Sequence, residues 1–294
     1  MIDVKIADVC GLCAGCKNAI ATTEKELASG SRVTIFKEIV HNKNVNNYLH
    51  SIGAGCVDNI TDLSSDNVII IRAHGEPPAT YEYLESNGIE YRDCTCPNVS
   101  KIHSLVNKYS EQGYRVIILG KYKNTLHPEV FGTMGWAGVD PVLIETADDV
   151  SKLKEFRDEK FYLVCQTTFN IQKAESLIEE VKRVLYDNMC ELIVNKSLCI
   201  AQKTINESSV QLAKECDIMI VVGGANSSNS IELYNNVNSI CPSVFIEDIA
   251  KYRDAIAEKG LVITANTRVG ITAGASTRKE ELLELKALIE KDFG

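Results

Sequence analysis

Six of the eleven cysteines stand apart from the rest: Cys10, Cys13 and Cys16 crowd one turn, Cys94 and Cys96 share another, and Cys199 follows a short apolar run. Thiolates so placed can hold a metal ion or an iron–sulfur cluster. Four ligating cysteines saturate the irons of a cluster and suit it to electron transfer. Three leave one iron open to act as a Lewis acid on a substrate oxygen. The run from Cys10 to Cys16 begins the C-x2-C-x2-C spacing of bacterial ferredoxins, but no fourth cysteine follows nearby. A structural zinc site using four of the six is the other metal reading, although zinc ribbons pair two tight knuckles and this chain has one cysteine-rich turn. Cys56, Cys165, Cys190, Cys216 and Cys241 sit singly among apolar residues, where a thiol packs as a small hydrophobe.

A second set of chemically able residues follows the apolar runs. His41-Asn42 comes after VTIFKEIV, His74-Gly75 after NVIIIRA, and His127-Pro128-Glu129 after RVIILG. Gln166-Thr167-Thr168 follows FYLVC, and the loops NSSNS (226–230) and GITAGAS (270–276) follow the last apolar runs. Hydroxyls, amides and glycines before a helix can offer backbone N–H groups and the positive end of the helix dipole to an anion. The same residue types also build ordinary caps and turns. No Walker A loop or G-x-G-x-x-G is present, which argues against a nucleotide or dinucleotide.

The elements that must carry these residues alternate. Runs near Val33, Val68, Val116, Tyr162, Ile218 and Val262 read as strands. Amphipathic helical stretches lie between them, at KNAIATTEKELASG, VSKIHSLVNKYSEQG, AESLIEEVKRVLYD, SSVQLAKEC and RKEELLELKALIEKDF. This alternation predicts an α/β class with parallel sheets, in which ligands gather at the carboxyl ends of strands. Three junctions, IADVCGLCAGCKNAI, YRDCTCPNVSKIHSL and IVNKSLCIAQKTINESSV, each run from extended chain through cysteine into helix and cut the chain into comparable thirds. The expectation is three similar α/β lobes about a shared centre: 1–96, 97–197 and 198–294.

At 294 residues and 45% hydrophobic the chain can bury a substantial core. Its net charge of −9 argues against nucleic acid or an anionic membrane as main partner. No apolar run is long enough to span a bilayer and the N-terminus lacks a secretory pattern, so a cytoplasmic location with reduced thiols is expected.

The segments GLCAGC, KEIVHN, RAHG, DCTCPNVSKIH, HPEVFGTMG, CQTT, GGANSSNS and GITAGAS together resemble the LytB/IspH family, the 4-hydroxy-3-methylbut-2-enyl diphosphate reductases, in order and along nearly the whole chain. The resemblance implies three lobes in pseudo-threefold arrangement about one 4Fe-4S cluster with an open iron, held by Cys13, Cys96 and Cys199. It places the diphosphate-binding groups on His41, His74, Ser227, Ser228, Asn229 and Ser276, with His127 and Thr168 also at the substrate. It makes Glu129 the proton-delivering carboxylate, with Thr167 beside the hydroxymethyl end and His127 close to the reaction. The first lobe would then hold Cys13, His41 and His74; the second His127, Glu129 and Thr167; the third Cys199, Ser227, Asn229 and Ser276. The implied reaction removes an allylic hydroxyl with two electrons and two protons, the electrons arriving from ferredoxin or flavodoxin.

The sequence departs from the family's pattern beside the expected centre. Cys10 and Cys16 flank the first ligand, where the family usually reads GFCAGV. Arg72, Glu76 and Asn98 differ from SAHGV and CPLV, and the run from Cys199 to Thr204 is altered. Two further readings follow from these changes: a related open-cluster reductase acting on another substrate, or a non-catalytic electron carrier or sensor. Retention of Glu129, Thr167 and both anion loops speaks against a carrier, which has no use for a proton donor beside an anion site.

Overall fold

The computed structural model describes residues 2–40, 42–225 and 227–294, with the Ser228 side chain also outside the description. In chain order the elements begin β1 (Asp3–Ile6), α1 (Ala14–Ala28), β2 (Val33–Phe36), α2 (Lys43–Ser51), β3 (Gly55–Val57), β4 (Val68–Ile71), α3 (Pro78–Ser86) and β5 (Tyr91–Asp93). Next come α4 (Pro97–Glu111), β6 (Arg115–Leu119), α5 (Pro128–Gly135), β7 (Val142–Ile144), β8 (Lys160–Cys165), α6 (Ile171–Asp187) and β9 (Glu191–Asn195). The last are α7 (Ile200–Ala213), β10 (Ile218–Val222), α8 (Ser228–Asn238), β11 (Ser243–Ile246), α9 (Tyr252–Glu258), β12 (Arg268–Ala273) and α10 (Lys279–Phe293).

The strands form three four-stranded sheets, ordered β1-β12-β10-β11, β3-β2-β4-β5 and β7-β6-β8-β9. Every pairing with a described register is parallel. The expected α/β class with three parallel lobes is therefore the fold. Its cause is legible in the central strands, where VTIF, VIII and IMIVV are buried along their whole length. A strand covered by helices on both faces needs such an unbroken apolar run.

Chain contacts divide the molecule into two compact units. One contains Met1–Ala28, Glu38–Gly55 and Ile200–Gly294; the other contains Ser29–Lys37 and Cys56–Cys199. The first unit is built on the sheet β1-β12-β10-β11, with Ile220, Val222, Val269, Ile271, Leu282 and Leu285 in its core. The second carries β2, β4 and β5 together with the sheet β7-β6-β8-β9, whose core includes Ile117, Leu119, Phe161 and Leu163.

The structure differs from the sequence expectation in two places. β1 belongs to the C-terminal sheet, with Val4 opposite Val269 and Ile6 opposite Ile271, so residues 1–96 hold the whole sheet β3-β2-β4-β5 and, besides it, one strand of another sheet. The apolar run LVITA (261–265) is not a strand. Val262 is 72% exposed, and the segment closes into a turn in which Thr267 N–H donates to the Thr264 carbonyl at 3.0 Å. The strand is instead RVGITA, so the first half of the expected GITAGAS loop is β12.

Candidate functional site

Each of the three expected ligand cysteines stands immediately before a helix: Cys13 before α1, Cys96 as the N-cap of α4 and Cys199 before α7. The peptide N–H groups of a first helical turn point toward the preceding residue and favour negative charge there, which suits a thiolate. Cys13 lies in the first unit, Cys96 and Cys199 in the second. Among the described residues no group of three or more His, Cys, Asp or Glu side chains is gathered as a metal site.

In the first unit the Cys13 turn is tied to the loop after β12. Gly11 N–H donates to the Ala273 carbonyl at 3.2 Å, Leu12 N–H to Thr277 at 2.9 Å and Cys13 N–H to Ala275 at 3.1 Å. Gly11 has a φ of 75°, and a Cβ there would meet the Thr277 carbonyl oxygen at 2.8 Å, so this close approach requires glycine. The Cys16 side chain lies 3.5 Å from the Cys13 sulfur. That hydrogen bond, opposed by burial, brings the Cys13 thiol down to about 6. Cys10 is drawn away, donating to the Ala7 carbonyl at 3.2 Å, and burial pushes its thiol up to about 11.

The loop held by these bonds carries Ser276, whose hydroxyl is buried with no hydrogen-bond partner. A buried hydroxyl left unmatched is costly unless something occupies it. Ser227 caps α8, its Oγ accepting from Ser230 N–H at 3.3 Å and from Ser230 Oγ at 3.0 Å. Close-packed glycines make room for this: a Cβ on Gly274 would stand 2.1 Å from Ser230 Oγ. Asn229 lies in the first turn of the same helix, and its carbonyl accepts from Gln202 Nε2 at 3.4 Å. His41 and the side chain of Ser228 lie outside the described residues. Its neighbour Asn42 caps α2 through Oδ1, 2.9 Å from Asn44 N, and reaches Thr277 Oγ1 at 3.5 Å.

In the second unit the expected catalytic pair is assembled. Glu129 is buried in the first turn of α5. Its carboxylate accepts from Thr167 N–H at 2.5 Å and from Thr167 Oγ1 at 2.7 Å. Burial pushes the carboxyl up to about 7 against the lowering effect of those two bonds. The Thr167 carbonyl in turn accepts from Cys199 N–H at 2.7 Å, so carboxylate, threonine and third cysteine form one bonded chain. Asn98 Nδ2 lies 3.6 Å from the Cys199 sulfur.

His127 is the N-cap of α5, with Nδ1 accepting from Glu129 N–H at 3.2 Å; that assigns the neutral ring's proton to Nε2. The His74 ring meets the His127 ring edge-on, centroids 5.5 Å apart. The His74 turn is bonded to the second cysteine, Cys96 N–H donating to the Ala73 carbonyl at 3.0 Å. Thr168 Oγ1 accepts from Gln166 Nε2 at 2.8 Å. Cys94, grouped with the chemical cysteines by its spacing, is buried, 2% exposed, in the second unit. Sequence reasoning gave no role to Gln202, Asn206 or Asn98. Gln202 and Asn206 are four apart on α7 with buried, unmatched amide oxygens; Gln202 falls in the altered run from Cys199 to Thr204, and its helical spacing is the signal that could have flagged Asn206.

Three four-stranded parallel sheets joined through helices, with cysteines at the starts of three of those helices, define an α/β class of protein. The chain belongs to the LytB protein family, which matches residues 4–290. A relative in Clostridioides difficile (strain 630), named 4-hydroxy-3-methylbut-2-enyl diphosphate reductase, is 32% identical over 290 residues, covering 98% of this chain and 99% of its own. One of the same name in Aquifex aeolicus (strain VF5) is 32% identical over 295 residues, covering 99% and 97%. A solved structure described as that reductase, the terminal enzyme of the non-mevalonate pathway, superposes with a TM-score of 0.76 at 30% identity, over 99% of this chain and 100% of that one. A structure described as the E-1-hydroxy-2-methyl-but-2-enyl-4-diphosphate reductase of Plasmodium falciparum gives 0.81 at 26% identity, over 98% of this chain and 87% of that one.

Proposed function

We propose that this chain reductively removes the hydroxyl of 4-hydroxy-3-methylbut-2-enyl diphosphate, yielding isopentenyl and dimethylallyl diphosphates and water. The single observation that carries this reading is the Glu129–Thr167–Cys199 chain: a buried carboxyl with a pKa of about 7, bonded through a hydroxyl residue to the backbone of a ligand-type cysteine. The donor set fits the cofactor that the family implies. Cys13, Cys96 and Cys199 are all at helix starts, while the buried, unmatched hydroxyl of Ser276 suits the anionic substrate.

These three thiolates would hold a 4Fe-4S cluster, which when bound supplies the two electrons and an iron open to the substrate oxygen. The remaining work falls to the chain. Glu129 holds a proton near neutrality and passes it, through Thr167 Oγ1, to the departing oxygen as that oxygen gains charge. His74 and His127 offer ring N–H groups to the diphosphate, and Ser227, Ser228, Asn229, Ser276 and His41 complete its hydrogen bonds. Thr168 and Gln166 hold the strand end in place, with Lys121 N–H donating to Gln166 Oε1 at 3.0 Å. Electrons enter from a small carrier such as ferredoxin or flavodoxin in the cytoplasm.

The test is anaerobic reconstitution with iron and sulfide, followed by turnover of the allylic diphosphate with dithionite and a viologen. Wild type should form both products, and Glu129→Gln should lower kcat by about 100-fold or more while keeping the cluster's absorbance, the usual range for loss of a positioned proton donor. A fully loaded protein with no turnover would overturn the reading.

A further inference from the structure

The added thiols beside Cys13 are the sequence feature that the proposed reaction leaves unused. Of the two, Cys16 faces Cys13 across 3.5 Å, while Cys10 is turned back onto the Ala7 carbonyl. Cys13 precedes the first residue of α1 and Cys16 lies within its first turn, which gives the C-x-x-C arrangement at a helix start. A cavity of about 540 Å³ opens beside them, lined by Cys10, Leu12, Cys13, Lys17, Ala201 and Lys279 among others. Cys13 lines it together with two lysines, Lys17 and Lys279, and one acid, Asp8, while Cys16 meets Cys13 outside the lining.

We propose that Cys13 and Cys16 form a thiol–disulfide modification site for small anionic disulfides of the glutathione kind. The cavity admits such a molecule to Cys13, with Lys17 and Lys279 matching its carboxylates. The Cys13 thiolate attacks one sulfur of RSSR, forming Cys13–S–S–R and releasing RS⁻. Cys16 then gives its proton to water and attacks the Cys13 sulfur, releasing the second RS⁻ and closing the Cys13–Cys16 disulfide. Two protein thiols lose two electrons and two protons, and the small disulfide becomes two thiols. The sulfurs need only close from 3.5 Å to the roughly 2.05 Å of a disulfide, within reach of side-chain rotation. A consequence rests on the proposed ligand set: the closed disulfide withholds Cys13, so protein without a cluster can be stored oxidised and reloaded only after reduction.

The experiment treats cluster-free full-length protein with excess oxidised glutathione under anaerobic conditions, blocks remaining thiols and maps the peptides by mass spectrometry. The expected product is an internal link between Cys13 and Cys16 in most molecules, with two hydrogens lost. Cys16→Ser should instead accumulate a glutathione adduct on Cys13, and Cys10→Ser should behave as wild type. A Cys10–Cys13 link, or linkage scattered over the other cysteines, would overturn the site. Oxidised wild type should then take up no cluster from iron and sulfide, read by iron content and visible absorbance, until dithiothreitol restores it. If the Cys13–Cys16 link forms and uptake is unchanged, the modification site stands and Cys13 is not a ligand, which separates this failure from that of the site itself.

Discussion

At the scale of single residues, the proposed role of Glu129 as proton donor makes the sharpest prediction. Its carboxyl titrates near 7 because burial disfavours the charged form more than two bonds from Thr167 favour it. A proton donor must hold its proton, so turnover should be full on the acid side and fall as pH rises through about 7. The stability sign is the same. A folded-state pKa raised above the ordinary 4.5 contributes stability that is complete below 4.5 and is lost as pH climbs through about 7, a loss of about 3 kcal/mol at most. His103 slopes the other way. Burial lowers its pKa to about 4, so its contribution is present above 6.5 and is lost as pH falls through about 4. Urea midpoints measured across this range should therefore decline on the alkaline side in wild type. In Glu129→Gln that alkaline decline should flatten, while the acid-side decline from His103 persists. A wild-type midpoint that holds level through pH 7 would show that Glu129 stays ionised.

At the scale of elements, the turn after β4 shows how a charge cluster sets an angle. Arg72 Nη2 and Nε each lie 3.2 Å from Glu76 Oε1, and Lys37 Nζ lies 2.9 Å from Glu76 Oε2. The Lys37 ammonium also sits 4.6 Å from the Phe36 ring centroid and 5.1 Å from that of Phe131 on α5. Glu76 thereby joins the end of β2, the His74 turn and the helix that carries His127 and Glu129. Trp136 adds a bond from Nε1 to the Glu76 carbonyl at 3.2 Å and stacks on His103 at 5.4 Å. Because Glu76 is fully buried between two cations, Glu76→Gln should cost about 3–5 kcal/mol, the usual result of leaving buried charge uncompensated. The double change Arg72→Met with Glu76→Leu should cost less than the single one, measured by urea unfolding; a larger loss would show that the turn depends on the ion pair itself. Little of this was legible in the sequence beyond the two departures in RAHGE, since Lys37 and Trp136 lie 39 and 60 residues from Glu76 and carry no local signal. The histidine and glutamate of HPEVFG were legible because they follow a strand and open a helix. The run LVITA was misread for the same local reason: it has strand composition, but its end closes into the turn from Thr264 to Thr267.

At the scale of the whole molecule, β1 is the least readable and most consequential element. Four residues at one end of the chain pair with a strand that begins at Arg268, and parallel pairing leaves no trace in composition. The three cysteine junctions gave the sheet count, because each strand-to-helix passage repeats a local pattern; the assignment of β1 depended on which edge of β12 was free. Val4 and Ile2 are 4% and 5% exposed, and each contributes about 1.5–3 kcal/mol through burial. Val4→Ala should thus destabilise by about 2 kcal/mol. Deleting Ile2–Ile6 removes both side chains and the whole edge pairing of β12, an amount comparable with the net stability of about 5–15 kcal/mol that a domain usually has. Hydrogen exchange on the shortened chain should then show protection lost in β10 and β12. The amides of β6 and β8, in the other compact unit, should keep theirs. Equal loss in β6 and β8 would mean that the two units unfold as one, and retention in β12 would mean that β10 alone holds it.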